Sequence, residues 1–326
     1  MEYIDKPFHT KKLDLNNRLV LPPMVSNTAA DNKVSEETIR HYEKRAEGGH
    51  IGLLIVEHLY ISREGIASAK QLSLAEDSDI EGLTKLTEAV RRHGSKIVAQ
   101  LNHAGAAANA RLSACPTLGP SENTYFNPEQ EMTGDDIRRV AVQFAKAAER
   151  AVKAGFDGVE IHSAHGYLLN QFYSPLTNQR ADEYGGNLEN RVRFHLEVIK
   201  AVRAAVGEEF PLLLRLGACD YIEGGNTIAD GAAASALFEK AGVDILDISG
   251  GLCSYRVKGR EDLQGYFQDS SHAIKQAVNI PLILTGGVTD INAADRLIAE
   301  GKADLIGVGL ALFNDADWAK KAFSSK

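Results

Sequence analysis

The chain has 326 residues, of which 44% are hydrophobic and 25% charged, and it carries a formal net charge of −8, the make-up of a folded globular protein rather than a disordered one. That acidic balance, with no basic stripe, argues against a nucleic-acid partner, whose phosphates demand clustered Lys and Arg. No apolar run approaches the roughly 18 residues of a membrane span, and Met1–Lys6 has no signal-peptide core, so a cytoplasmic protein without a membrane partner is expected.

Short apolar runs alternate with helical patterns along the whole chain. A strand over Leu19–Pro22 leads to a helix over Glu36–Glu47 that Gly48 and Gly49 end, then to a strand over Gly52–Glu57 and a helix over Ile80–His93 stopped by Gly94. The strand Lys96–Leu101 is followed, after a long loop, by the clearest helix. Ile137, Val140, Phe144, Ala148 and Ala151 recur at three-to-four spacing there, behind a capping-box-like Thr133-Gly134-Asp135-Asp136 and ahead of Gly155. Next come the strand Gly158–His162 with a helix over Glu189–Val206, the strand Pro211–Leu216 with a helix over Ala229–Lys240, and the strand Asp244–Ile248 with a short helix over Ser270–Ala277. The strand Pro281–Thr285 precedes a helix over Asn292–Glu300 opened by Asp290, and the strand Asp304–Val308 precedes a short helix over Ala316–Phe323. All strands but the first are continuously apolar, as expected when both faces of a parallel sheet are covered. Eight strand–helix units imply an α/β fold, a (β/α)8 TIM barrel forming one domain over residues 1–326.

In such a barrel the loops after the strands form the C-terminal mouth, where active sites are built. The long non-periodic stretches Leu59–Ala75, His103–Met132, Ser163–Leu188 and Gly250–Tyr266 all follow strands. The third begins with His162-Ser163-Ala164-His165-Gly166-Tyr167, so two imidazoles and a phenol leave one strand end together. Two such N–H donors can hold a developing negative charge while the phenol delivers a proton. Glu57, His58, Gln100, Asn102, His103, Arg215, Asp247 and Ser249 occupy other strand ends around the same mouth. Gly286-Gly287 and Gly307-Val308-Gly309 follow the last two strands, where bare backbone N–H groups can approach a phosphate. Arg215, inside an apolar run, needs a partner: either the polar edge of a reduced flavin or a carboxylate such as Asp220 or Asp247. The three cysteines, Cys115, Cys219 and Cys253, form no CxxC pair and read as small buried or neutral residues.

From Arg18 onward these residues resemble the old yellow enzyme family, the NADH:flavin oxidoreductases that act as FMN-dependent ene-reductases, in its shorter bacterial branch without an iron–sulfur extension. The marks are Asn17-Arg18-Leu19-Val20-Leu21-Pro22-Pro23-Met24, Gln100-Leu101-Asn102-His103-Ala104-Gly105, the stretch from His162 to Arg193, Arg215-Leu216 and Thr285-Gly286-Gly287. The resemblance implies FMN at the mouth and NADH or NADPH as reductant. Pro22, Pro23 and Met24 would lie on the flavin, Gln100 and Arg215 on its polar edge, and Gly286, Gly287 and Gly309 on its phosphate. His162 and His165 would bind the carbonyl oxygen of an enone, enal or enoate, and Tyr167 would protonate its α-carbon. A homo-oligomer is the expectation for the family.

Four positions depart from the pattern. Val25 stands where the family usually has Cys or Thr near the flavin, Asn27 where a substrate-contacting Tyr is common, His58 where a small residue lies beside the flavin, and Leu310 where an Arg follows Gly309. These imply an altered redox poise, substrate preference or FMN affinity on an unchanged fold. Other readings stay open: a flavin barrel with diaphorase or demethylase chemistry, a metal-dependent barrel enzyme with His162 and His165 as ligands, or a flavin- or partner-binding protein with a degenerate site.

Overall fold

The computed structural model of the chain describes residues 1–324. Its centre is a closed barrel of eight strands, all paired in parallel. In chain order these are β1 (Leu19–Leu21), β2 (Leu53–Tyr60), β3 (Lys96–Asn102), β4 (Gly158–Ser163), β5 (Leu212–Cys219), β6 (Ile245–Gly250), β7 (Leu282–Thr285) and β8 (Leu305–Gly307). The longer helices between and after them are α1 (Glu36–Ala46), α2 (Ile80–Arg91), α3 (Gly134–Lys153), α4 (Arg193–Val206), α5 (Ile228–Lys240), α6 (Gln268–Lys275), α7 (Ile291–Ala299) and α8 (Trp318–Ser324). Among the described residues, no helix is long and apolar enough to cross a membrane.

Local chemistry explains the boundaries. Ser35, Thr133 and Thr227 cap α1, α3 and α5 in reciprocal capping boxes, satisfying N–H groups that a helix start leaves without partners. The single helix expected over Glu189–Val206 is divided at Val192 into a short turn, Leu188–Arg191, and α4. Arg191, at the end of the first piece, donates from its guanidinium to Tyr173 O at 2.8 Å, Gly186 O at 2.7 Å and Asn226 Oδ1 at 3.1 Å.

Period-two alternation along each strand sorts the side chains. Outward residues such as Leu54, Ile97, Val159, Leu214 and Leu246 join the helices in one large core. Inward residues at the N-terminal end, Val20, Leu53, Ile55, Val98, Leu213, Ile245, Ile283 and Leu305, form a separate plug. Leu13 and Leu15 close it from below on a hairpin, Phe8–His9 with Asp14–Leu15, that the sequence did not announce. Above the plug, the inward positions turn polar.

Candidate active site

At the next inward positions of β3 to β7 the plug gives way to Gln100, Glu160, Arg215, Asp247 and Thr285, each at most 9% exposed. Glu160 pairs in register with Gln100, and Arg215 with both His162 and Asp247. Gln100 Nε2 donates to Glu160 Oε2 at 2.7 Å, and Thr285 Oγ1 donates to Asp247 Oδ1 at 2.9 Å. Arg215 Nε lies 3.3 Å from Asp247 Oδ2, so of the two carboxylates anticipated for it, Asp247 is the neighbour. Asp220 instead accepts from Ser174, Asn226 and Leu252. Arg215 is also not at the end of its strand, because β5 runs on to Cys219. A charge pair near 4 Å is worth about 4 kcal/mol at an effective dielectric of 20, and without it a guanidinium this deep would cost several kcal/mol. Burial pushes the Glu160 carboxyl well up and the Asp247 carboxyl up, while Arg215 pulls both down.

One layer nearer the mouth, β4 delivers His162 inward while Ser163 points out. Ser163 Oγ and His195 Nε2 of α4 lie 2.8 Å apart, clamping the strand end from behind. The chain then turns sharply through His165 and Gly166, at φ +60° and +75°. A Cβ at Gly166 would also strike Phe126 at 2.8 Å or less, its nearest atom being Cζ at 2.7 Å. Asn170 Oδ1 accepts from Gly166 N–H at 2.7 Å and Gln171 Nε2 donates to Gly166 O at 2.7 Å, so the strained turn is held from both sides. That turn folds the segment back on itself. The ring centroid of His162 lies 5.1 Å from that of His165 and 5.3 Å from that of Tyr167, the convergence the sequence spacing suggested. Burial holds both histidines neutral, well below the ordinary imidazole range, with the neighbouring charges of Arg215 adding to it. Burial raises the Tyr167 phenol. His165 Nε2 sits 2.7 Å from Ser249 Oγ, whereas His162 Nδ1 is buried with no partner.

The other anticipated residues fall around this centre unequally. His58, half-buried, joins it at 5.3 Å from Tyr167 and 6.4 Å from His162. Pro22 and Met24 flank Gly309, where an added Cβ would lie 3.6 Å and 3.2 Å from them, and Pro23 is half-buried beside them. Val25 is 37% exposed and Leu310 51% exposed, and Asn27 is exposed at φ +58°; none of the three hydrogen-bonds to His162, His165 or Tyr167. Gly286 and Gly287 are held against Tyr266, whose ring a Cβ at either position would meet. The N–H groups of Gly287 and Gly309 have no acceptor among the described residues. The start of α7 is not free in this way, because the Asp290 carboxylate accepts from Asn292 N and Ala293 N. Sequence reading did not single out Glu160 or Gln71. Glu160 had a signal, a carboxylate two residues before His162 in a buried run and therefore on the same inward face; Gln71, on a loop, had none.

These features fit FMN. Two unpaired backbone N–H groups at adjacent strand ends suit a phosphate. The orphaned His162 Nδ1, Asn102 Nδ2 and Oδ1, and Glu160 Oε1 are buried polar atoms that a polar ring system and its substrate can satisfy. They fit a metal less well, since among the described residues no three His, Cys, Asp or Glu side chains form a ligand-sized cluster.

Residues 4–325 match the NADH:flavin oxidoreductase / NADH oxidase family. The chain is 39% identical over 320 residues to the NADH oxidase of Thermoanaerobacter brockii, covering 95% of this chain and 49% of that protein. It thus spans about half the length of that relative. It is 37% identical over 318 residues to the NADPH dehydrogenase of Clostridium acetobutylicum, covering 96% of this chain and 92% of that one. The solved old yellow enzyme homologue from Zymomonas mobilis superposes with a TM-score of 0.85 at 26% identity, over 99% of this chain and 93% of that chain.

Proposed function

The chain belongs to the NADH:flavin oxidoreductase / NADH oxidase family, and on that premise we propose that it is an FMN-dependent NAD(P)H oxidoreductase reducing the activated C=C bond of an α,β-unsaturated carbonyl compound. The observation that carries the reading is the meeting of His162, His165 and Tyr167 at the barrel mouth, with centroids 5.1 and 5.3 Å apart. When bound, FMN supplies hydride to the β-carbon of the alkene and takes it in turn from NADH or NADPH. The phosphate would rest on Gly287 and Gly309, and the polar edge of the ring near Gln100 and Arg215. His162 and His165, kept neutral, offer N–H donors to the carbonyl oxygen, where enolate charge develops, as an oxyanion hole does. Tyr167 holds the proton for the α-carbon; a phenol with its pKa raised by burial stays protonated at neutral pH, which an acid must. Among the described residues Arg215 has a single ion-pair partner, Asp247, and its guanidinium can divide its positive charge between that carboxylate and negative charge arriving nearby.

The test is direct. Purified protein is expected to be yellow, to release FMN on denaturation, to lose its flavin colour with NADH or NADPH under anaerobic conditions, and to convert a cyclic enone to the saturated ketone. A colourless protein that takes up no FMN would refute the proposal. Bleaching without any alkene reduction, but with electron transfer to dyes, would favour the diaphorase reading.

A further inference from the structure

His58 faces the mouth because of an irregularity in β2. Val56 pairs with Ala99 but Leu59 with Leu101, so three residues of β2 oppose two of β3. Strict alternation after the outward Leu54 and Val56 would send residue 58 into the helix layer. The extra residue instead returns Leu59 and Ile61 to the outer core and leaves His58 inward, beside Tyr167 and His162. Re-aiming a side chain beside a site is a recurrent use of a bulge.

A buried partner fixes which nitrogen of His58 carries its proton. Gln71 is 1% exposed. Its Oε1 accepts from Ala67 N–H at 2.7 Å, and its Nε2 donates to His58 O at 3.2 Å and to His58 Nδ1 at 2.6 Å. Reversing the amide would set its oxygen against a carbonyl and its NH2 against an N–H, so the orientation is determined twice. An amide nitrogen only donates, hence Nδ1 is the acceptor and the neutral ring bears its hydrogen on Nε2. Among the described residues Nε2 has no acceptor. The groups facing the ring are Tyr167, His162, His165 and Arg215, none of them anionic at neutral pH. Burial and the Arg215 charge accordingly keep the imidazole neutral, with its pKa lowered to about 4.

We propose that His58 is a specificity-determining residue: a third N–H donor on the wall shared by His162 and Tyr167, fixed in its Nε2–H form by Gln71, that selects ligands carrying a second carbonyl oxygen beside the one His162 and His165 hold. The inference rests on the reading of His162 and His165 as carbonyl donors. The 6.4 Å between the rings of His58 and His162 is a spacing that the two oxygens of one small cyclic dicarbonyl can bridge. A donor left facing a ligand without that second oxygen stays unsatisfied in a partly dry site, which is how a hydrogen-bonding site discriminates.

Non-reacting probes separate this selection from turnover. Titration of the flavin-loaded protein with succinimide, two carbonyls, and 2-pyrrolidinone, one carbonyl, is expected to show about ten-fold tighter binding of succinimide. His58→Leu removes that preference, and His58→Gln, which keeps a donor, restores it to within about three-fold. Gln71→Glu, an acceptor facing Nδ1, moves the ring hydrogen to Nδ1 and removes the preference with the imidazole still present. In 15N spectra of His-labelled wild type at pH 7, the ring carries hydrogen on Nε2 alone. Equal binding of the two probes by wild type, an unchanged preference in His58→Leu, or a hydrogen on Nδ1 would each overturn the proposal. A wild type that prefers succinimide and yet reduces no alkene would leave the selection standing and overturn the redox reading instead.

Discussion

Each chemical side chain here behaves as its surroundings dictate rather than as its type suggests. His195 is fully buried behind the site, neutral, with its pKa lowered by burial to about 3, and it acts as a clamp on Ser163. His162, two residues along the strand from Glu160, is equally buried, and each of the two rings keeps one nitrogen without a partner. Neither burial nor an unpaired atom therefore separates the two; surroundings do, since His195 stacks on Phe238 in the helix layer while His162 faces His165 and Tyr167. Glu57, 1% exposed, illustrates the cost side. It accepts from the Ser26 hydroxyl and, at 3.2 Å, from Ser26 N–H, tying the loop after β1 to β2, yet burial lifts its pKa from 4.5 to about 7. Between those values the folded chain keeps a proton that the unfolded chain has released, so stability falls as pH rises from 4.5 to 7 and is flat above. A shift of this size corresponds to about 3 kcal/mol at most. Urea unfolding at pH 5, 6, 7 and 8 is expected to show that decline in wild type and to lose most of it in Glu57→Gln, whose amide oxygen can still accept from Ser26. An equal slope in both proteins would contradict the assignment. Leu310 offers the converse case, an exposed apolar residue one position from an unpaired N–H. Leu310→Arg is expected to tighten FMN about ten-fold in a fluorescence titration and to lose that gain in high salt; an affinity unchanged at low salt would place the phosphate elsewhere.

At the scale of elements, the legible part of the fold was the part set by periodicity. All eight strands and the helices between them lie within a few residues of where apolar runs and glycine stops put them, because a strand covered on both faces must be apolar throughout. What the sequence withheld was register and irregularity. The bulge in β2 that turns His58 inward leaves no mark in a run reading Leu53-Leu54-Ile55-Val56-Glu57-His58-Leu59-Tyr60. The acceptors of Arg191, Tyr173 O, Gly186 O and Asn226 Oδ1, lie outside its own helical turn, so no local pattern marks them. The sharp turn at His165 is different, since Gly166 beside it announced a turn and the His–Tyr spacing its purpose. The glycines after β7 and β8 were read as anion sites, and the structure gives them a second reason. Gly287, at φ +68°, lies so close to the Tyr266 ring that a Cβ would collide with it, while Gly301, at φ +66°, has nothing within 4 Å. Gly301→Ala is expected to cost about 1 kcal/mol from backbone strain alone, whereas Gly287→Ala should cost about 1–3 kcal/mol more and weaken FMN retention. Thermal unfolding with and without FMN measures both; equal effects of the two substitutions would show that Tyr266 does not need the glycine.

The whole molecule reads as a closed barrel with an apolar plug at one end, a charged layer of Glu160, Arg215 and Asp247 above it, and a donor-lined mouth on top. The plug and outer core fix the strand ends; the strand ends fix the donors. Function follows from that stacking only if the mouth acts in two separable stages, one taking electrons from the nicotinamide and one giving them, with a proton, to an alkene. On the proposed reading Tyr167 would belong to the second stage alone, as the donor of the proton to carbon; its ring neighbours are His58 and His162. General acids of this kind contribute about 10²- to 10⁴-fold. Anaerobic stopped-flow on the flavin-loaded protein therefore tests the account most directly, following bleaching by NADPH and then recovery of colour with 2-cyclohexen-1-one, in wild type and in Tyr167→Phe. The expected result is bleaching within about three-fold of wild type and recovery slowed about 10²-fold or more. Equal slowing of both stages, or recovery as fast as in wild type, would contradict the role of Tyr167 and with it the reading of this mouth as an alkene-reducing site.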